Sequence, residues 1–598
     1  MRTRKVSTLN KPKKRPIAMS VRLIEAMESG HHDGDRNPKR RRLSDGSCSG
    51  DHADWLCALP DELLIAILSR VGDSRAAVST SALSRRWRRL DPARWIPAFG
   101  FSVGDHLPPE YAGTLHRYRN GGGGDDDARW ALAQRVAACE DRAMEAYVRG
   151  LARFLCTPER YPAARSLRLE FFLTAPPPED HDGASAAAAG RAMAACLASA
   201  FRWRKLDRLA VYAFPRSAAA GGAGAENKQP AHVFPDPEPV QALLTASRLA
   251  TLHFKNCLAQ SGHGYGLLFP ALTRLPIEIT PRAVKAVFPS TYFGDILLSC
   301  RGLVFLRLVL CFVAAARPST VDLPPAPALQ ELILEACNFL DVSLASAPRL
   351  ERLVIERCNM LSSLTVGTAP RLATLVCRGA VPRMYGDGTA SLRFVELRAW
   401  DGFRRTSEQL ASFFLSAAKV EVLKLCFRSP PWFWVHPTAF SSRIENLKKL
   451  LIDLPRVWPL HRIKKLLEKL LEAAACLEKL HIHFCALSSE TSEELAITPC
   501  SDYTDDFQHT FLRQIVMEGF EGTKEQIALI RLLLSSCGAL KTVLLGCLWL
   551  GFPTCFCFCK SQKPTKGPKS STCFCPKATF ALVQNQKHLP PCFQVLLG

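Results

Sequence analysis

Several features that would announce an exported, membrane-bound or catalytic chain are missing. The opening MRTRKVSTLNKPKKRP is basic and polar, and no apolar core follows it, so no secretory leader is expected. Without export the 23 cysteines should stay mostly reduced and unpaired. A spanning helix needs about 20 predominantly apolar residues. The nearest stretch, Thr542 to Cys559, is interrupted by Pro553 and two glycines, so no membrane partner is expected. Phosphate-cradling signatures are also absent: there is no GxxxxGK[ST], and no GxGxxG behind a strand. His481 and His483 lie on expected strands, and no motif-bearing Ser, Cys or Asp can be set against them. No catalytic constellation and no cofactor are therefore expected. Acidic residues are in deficit, 55 against 77 Lys and Arg, giving a formal charge of +22. Such a balance raises nucleic acid, membrane surfaces and acidic proteins as candidate partners, but much of it sits in basic runs near the N-terminus.

What is present is enough for a multidomain globular chain. At 598 residues with 47% hydrophobic content, the length corresponds to about three or four domain equivalents. Residues 1–53 are rich in Lys, Arg, Ser, Gly and Asp without apolar periodicity, which predicts a disordered basic tail. It carries two basic clusters, around Lys11 to Pro16 and at Lys39, Arg40, Arg41 and Arg42. The second is the candidate nuclear import signal, placing the chain in nucleus and cytoplasm. Dense amphipathic helix follows over 54–95. A helical linker region spans 96–163, with a Gly/Asp loop near 120–127 and a helix from Ala128 to Phe154. The stretches Ala175 to Gly190 and Pro215 to Pro239 read as exposed low-complexity insertions.

From 164 to 500 a repeat emerges. Leu329-x-x-Leu332-x-Leu334-x-x-Cys337-Asn338 recurs as Leu350/Leu353/Ile355/Cys358/Asn359 and as Leu372/Leu375/Cys377. Further copies are Leu249/Leu252/Phe254/Cys257, Leu303/Leu306/Leu308/Cys311 and Leu477/Leu480/Ile482/Cys485. Looser copies begin at Leu206, Leu392, Val420 and Leu447. The spacing is that of irregular leucine-rich repeats. In each, the L-x-L pair is a short strand whose alternate side chains point inward. One copy cannot bury its own apolar face, so copies must stack into a solenoid. The repeat cysteines then serve packing, and the asparagines bond backbone groups of neighbouring coils.

The segment Leu59-Pro60-Asp61-Glu62-Leu63-Leu64 through Ile67-Leu68-Ser69 and Val71, ending in Leu83-Ser84-Arg85-Arg86-Trp87-Arg88, reads as three short helices. Pro60 sits at a helix start with acids in the first turn, and Gly72 closes that helix. Three helices in about 40 residues leave large apolar groups for a partner to cover. The segment closely resembles the F-box, whose pattern is LPxxLLxxILSxL followed by a hydrophobic helix ending in LSxRWR; Val71 stands where Leu is commoner. The resemblance implies docking on a Skp-type adaptor and, through it, on a cullin and a RING subunit. The implied contact residues are Leu59, Pro60, Leu63, Ile67, Leu68, Val78, Leu83 and Trp87.

Near the other end, residues 505–545 read as strand, Gly-containing turn, amphipathic helix and strand. They resemble the FBD unit that follows the repeats in many plant F-box proteins, so the chain as a whole resembles the plant F-box/leucine-rich repeat/FBD family. The fold expected is a small all-α F-box, an α/β leucine-rich repeat solenoid and an FBD-like cap. The function this implies is a non-catalytic substrate receptor of an SCF-type ubiquitin ligase, holding an unknown protein substrate. Three alternatives stay open: a nuclear nucleic-acid-binding protein, a non-degradative scaffold, and a solenoid that binds a small-molecule ligand. Residues 546–598 form a Cys-rich tail expected to lack structure. Its C-x-C pairs at Cys555, Cys557, Cys559, Cys573 and Cys575 lack the C-x₂₋₄-C spacing of structural zinc sites, so no metal is assigned there.

Overall fold

The computed structural model describes residues 59–547 apart from internal segments, of which the longest are 218–228, 234–247, 259–270, 400–418, 428–443 and 486–507, and beyond them the strand Thr554–Cys559. Residues 1–53, with Lys39, Arg40, Arg41 and Arg42, lie outside the described residues, as do the aromatic-rich segment from Pro430 to Trp434 and the remainder of the Cys-rich tail. The chain divides into two compact units, residues 1–286 and 287–598.

The first unit opens with three short helices, α1 (Asp61–Arg70), α2 (Ser74–Ser79) and α3 (Arg85–Arg89). Leu64, Leu68, Ala77 and Trp87 bury their side chains, each helix contributing a face too small to stand alone. Helices α4 (Tyr111–Asn120) and α5 (Asp126–Leu155) follow, the second close to the helix expected from Ala128 to Phe154. Five strands of this unit pair in parallel, the first of them ahead of α4: Ala98–Ser102, Ser166–Phe172, Arg208–Phe214, Thr251–Lys255 and Arg274–Glu278.

Two expectations are corrected here. Residues 96–163 are not wholly helical, because Ala98–Ser102 supplies a strand paired in register with Ser166–Phe172. The stretch from Ala175 to Gly190 is not only a loop insertion. From Ala184 it is helix α6, which runs to Phe201. Alanine is the strongest helix former, and Met193, Leu197 and Ala200 recur at helical spacing and are buried.

In the second unit, strands Phe305–Val309, Glu331–Glu335, Arg352–Glu356, Thr374–Arg378 and Phe394–Ala399 stack in parallel register. Val422–Phe427, Lys449–Pro455, Lys479–Cys485, Gln514–Glu518 and Thr542–Cys547 continue the series. The repeat skeleton sits where its periodicity requires: Leu329, Leu332, Leu334, Leu350, Leu353, Ile355, Leu372, Leu375 and Cys377 are all buried. A second parallel sheet of Thr320–Leu323, Asp341–Ser346, Ser363–Thr368 and Arg383–Tyr385 closes the other side of four coils. Toward the C-terminus, helices α8 (Leu460–Ala473) and α9 (Lys524–Ser536) lie between successive strands of the first sheet, while α7 (Tyr292–Ser299) opens the unit. The repeats thus change from strand–strand to strand–helix coils, an α/β solenoid.

The cysteines of the repeat pack as small apolar groups. Cys337 Sγ lies 3.5 Å from the Leu308 carbonyl and Cys358 Sγ 3.5 Å from that of Leu334, each reaching back one coil. Burial pushes Cys377 up to about 12 and Cys337 well above the usual thiol range; such protonated thiols are poor nucleophiles. The asparagines bridge coils. Asn256 donates to the Ala213 carbonyl at 2.7 Å and accepts from the Thr280 amide at 2.7 Å. Asn338 exchanges two bonds with the Val313 backbone.

A further regularity has no counterpart in the sequence pattern. Asn256, Leu310, Ala336 and Arg357 each follow the last residue of a strand and adopt φ between 52° and 56°. From there the Asn256, Leu310 and Ala336 amides donate to the end of the next strand, at Glu278, Glu335 and Glu356. The left-handed residue turns the chain out of the sheet without losing a backbone bond.

In the segment expected to be FBD-like, Gln514–Glu518, α9 and Thr542–Cys547 give strand, helix and strand. Thr523 caps α9, accepting from the Gln526 amide, while the Gln526 side chain accepts from the Glu521, Gly522 and Thr523 amides. This capping box fixes the turn. The expectation that residues 546–598 lack structure is corrected in part: Thr554–Cys559 is a strand that pairs antiparallel with Thr542–Cys547. Among the described residues, no helix is long and apolar enough to cross a membrane.

Candidate protein-interaction surfaces

One arginine ties two of the helices together. Arg86 Nε donates to Asp61 Oδ1 at 2.7 Å, and a second guanidinium nitrogen donates to the Leu59 carbonyl. A residue of α3 thereby clamps the N-terminus of α1. Ser84 caps α3 by accepting from the Trp87 amide at 3.3 Å. Among the described residues, nothing covers the apolar face these helices present. Leu63, Ala66, Ile67 and Arg70 recur along one side of α1, and with Leu59 they line a groove of about 510 Å³.

The eight residues assigned to adaptor contact divide by exposure. Leu63 is 50%, Ile67 40% and Leu83 65% exposed; Pro60 is also exposed, and Leu59 and Val78 are half-buried. Leu68 and Trp87, at 0% and 5% exposure, are committed to packing within the chain and present no surface. Singly exposed apolar residues are ordinary, but Leu63 and Ile67 join Leu59 and Ala66 in one contiguous apolar groove, the kind of patch that marks an interaction site.

The second surface is the outward face of the parallel sheet in the second unit. Alternate strand residues that do not enter the core align across strands, and many are charged. Arg307 bonds Glu335 at 2.7 Å, and Arg357 also reaches Glu335. Arg352 bonds Glu331 at 3.1 Å, and Arg378 bridges Glu356 at 3.1 Å and Glu396 at 3.0 Å. Farther along, Lys424 and His483 flank Asp453, each at 3.4 Å, and His481 meets Glu518 at 3.3 Å. Both histidines that lacked partners in the sequence thus find carboxylates on adjacent strands. The pairing of parallel strands supplies them, 30 residues away along the chain for His483 and 37 for His481.

Partial burial alone would raise the Glu335 carboxyl, but the hydrogen bonds and charges of Arg307 and Arg357 outweigh it and hold its pKa below the ordinary glutamate value. A depressed carboxylate adds stability that is fully present above the unfolded pKa and is lost as pH falls through the folded value. Glu335→Gln should therefore melt earlier than the parent at neutral pH. The gap should shrink as pH falls below about 4, which thermal melts over that range would check; a gap constant with pH would refute the assignment. Burial also acts against Asp453, and again the Cys426 thiol, Lys424 and His483 prevail, so its pKa is lowered. Burial pushes Cys426 itself up to about 12, with Asp453 reinforcing the shift.

An extended sheet face of alternating fixed charges, carried on stacked coils, is the kind of surface with which leucine-rich repeat proteins bind other proteins. Fold and repeat pattern together define a leucine-rich repeat protein. A family model described as At1g61320/AtMIF1, LRR domain, matches residues 299–587, just under half the chain. The match begins within α7 and runs on through most of the Cys-rich segment that the sequence pattern set apart from the repeats. No curated protein matches the chain.

Proposed function

We propose that this chain is a substrate-recognition subunit of an SCF-type E3 ubiquitin ligase, docking on a Skp-type adaptor through its N-terminal helices and holding a protein substrate on its repeats. One observation carries the reading. The helices that resemble the F-box keep Leu63 and Ile67 exposed along an apolar groove that nothing within the described residues covers, and Leu83 is exposed as well. An aliphatic anchor set of this kind suits a partner with an apolar face of its own. Cullin and RING subunits would join through the adaptor. The chain would act by position, raising the effective concentration of substrate lysines near the charged conjugating enzyme, and would supply no catalytic group. The strand–helix–strand unit at 505–545 is read as an FBD-like cap, and the basic cluster at Lys39 to Arg42 as the address for nuclear import.

The test is co-purification of the full chain with a Skp-type adaptor and a cullin. Capture of both supports the reading, and failure to capture the adaptor sinks it. The rival nucleic-acid reading predicts salt-sensitive DNA binding that survives deletion of residues 1–53. Binding lost with the tail would leave the folded body to proteins.

A further inference from the structure

We propose that Asp453, His483 and Cys485 form a binding site for a divalent transition-metal ion, zinc foremost, on the outward face of the repeat sheet. The three residues come from two adjacent parallel strands. Asp453 lies directly across from His483 in register, and Cys485 is two residues on, opposite Pro455. Alternation along the strand puts His483 and Cys485 on the same face, and their ligand atoms with that of Asp453 all lie within 4.8 Å of one another.

Two of the three ligand separations are those of ligands already gathered round an ion, and the third, between Asp453 and Cys485, is within 4.8 Å. His483 Nδ1 is 3.4 Å from Asp453 Oδ1 and 3.4 Å from Cys485 Sγ. A tetrahedral zinc with Zn–N and Zn–O near 2.1 Å and Zn–S near 2.3 Å separates its ligands by about 3.4–3.6 Å. Binding would need little movement of strands held in register by their ladder bonds. The donor set of one thiolate, one imidazole and one carboxylate is that of a borderline metal, not of calcium or magnesium.

The carboxylate is divided between two tasks. Its Oδ1 faces His483, whereas Oδ2 accepts from the Cys426 thiol at 2.9 Å and meets the Lys424 ammonium at 3.4 Å. Cys426 and Lys424 thus orient the carboxylate from the far side, as partners behind a ligand commonly do, and the Lys424 charge is spent on the oxygen that the ion would not use. All three ligands are half-buried, reachable by an ion and shielded from full solvent competition. Coordination would release the Cys485 thiol proton to solvent and leave a fourth position for water or for a donor from a bound protein. The other ion pairs of this face join a base to an acid without a thiol; this cluster differs in adding one.

Zinc binding to the full chain, measured by competition with a chromophoric chelator, tests the site beside cobalt substitution. The parent should take up one equivalent that Cys485→Ser and His483→Ala lose. Its cobalt form should show a thiolate-to-cobalt charge-transfer band absent from Cys485→Ser, and Asp453→Asn should weaken binding at least about tenfold. Cys485 and His483 lie on the sheet surface, so unchanged melting of the metal-free variants shows that binding, not folding, was lost. A variant with Cys555, Cys557 and Cys559 all changed to Ser should retain the equivalent. The proposal is overturned if the parent binds no zinc, or if the tail variant loses the equivalent while Cys485→Ser keeps it. Neither result bears on adaptor capture, which belongs to residues of the other unit.

Discussion

Ile67→Asp should abolish capture of a Skp-type adaptor while leaving the chain folded. Ile67 is 40% exposed on the side of α1 that also carries Leu63 and Ala66, so an aspartate there meets water in the free chain. Surface substitutions of this sort usually change stability by less than about 0.5 kcal/mol. In a complex the same carboxylate would be buried without a partner against an apolar face. Truncating an anchor side chain already costs about 2 kcal/mol or more, roughly 30-fold in affinity, and a buried unpaired charge costs further. The adjacent residue supplies the control. Leu68 is fully buried, so Leu68→Asp should lose both the melt and the capture. Pull-down with the adaptor and thermal melts of both variants separate the cases. If Ile67→Asp still captures the adaptor at parental affinity, the exposed face is not the docking surface and the helices are a cap on the repeats.

The same contrast shows how far the sequence could go. The helical spacing of Leu63, Leu64, Ile67 and Leu68 was legible, but spacing alone did not say which would be turned inward. Leu68 and Trp87 carry the motif because the three helices need them as a core. Leu63, Ile67 and Leu83 carry it without being needed there. The repeat strands were legible wherever L-x-L stood alone between polar residues, as at Leu332 and Leu334. The second sheet was not. Thr320–Leu323, Asp341–Ser346 and Ser363–Thr368 are short and rich in Ser and Thr, and only their pairing with one another makes them strands. Arg274–Glu278 was hidden by its internal proline.

The charged face and the Asp453–His483–Cys485 cluster were illegible for a different reason. His483 and Cys485 are two apart in sequence and visible as a pair, but Asp453 joins them only through the register of two parallel strands. Register follows from the burial of Leu450, Ile452, Leu480 and Ile482: a slip by one residue would turn every one of them to solvent. Positions of charge on the outward face are thus dictated by the apolar residues between them. In the same way, His481 acquires Glu518 and Arg378 acquires Glu356 and Glu396.

Gly519→Ala should destabilise the second unit far more than its conformation alone would suggest. Gly519 follows the strand Gln514–Glu518 with φ 72°, the strand-exit position that Asn256, Leu310, Ala336 and Arg357 fill elsewhere. Those four show that the left-handed turn is tolerated by residues with a side chain, at about 1–2 kcal/mol each. At Gly519 a methyl group would also strike the Phe484 carbonyl oxygen, a backbone atom of a strand held by its own ladder, which cannot rotate aside. The combined cost should be about 2–4 kcal/mol. Ala336→Gly is the matching probe: it relieves the left-handed strain but loosens the unfolded chain by about 0.4–1 kcal/mol, which offsets part of the gain, and should leave stability unchanged or raised by no more than about 1 kcal/mol. Denaturant unfolding of the two variants measures the difference. Equal and opposite shifts, a loss for Gly519→Ala matched by a gain for Ala336→Gly, would mean that the turn itself sets the cost. A loss confined to Gly519→Ala would locate it in the close approach of Gly519 to Phe484, and so in the packing of the C-terminal strand–helix–strand unit onto the preceding repeat.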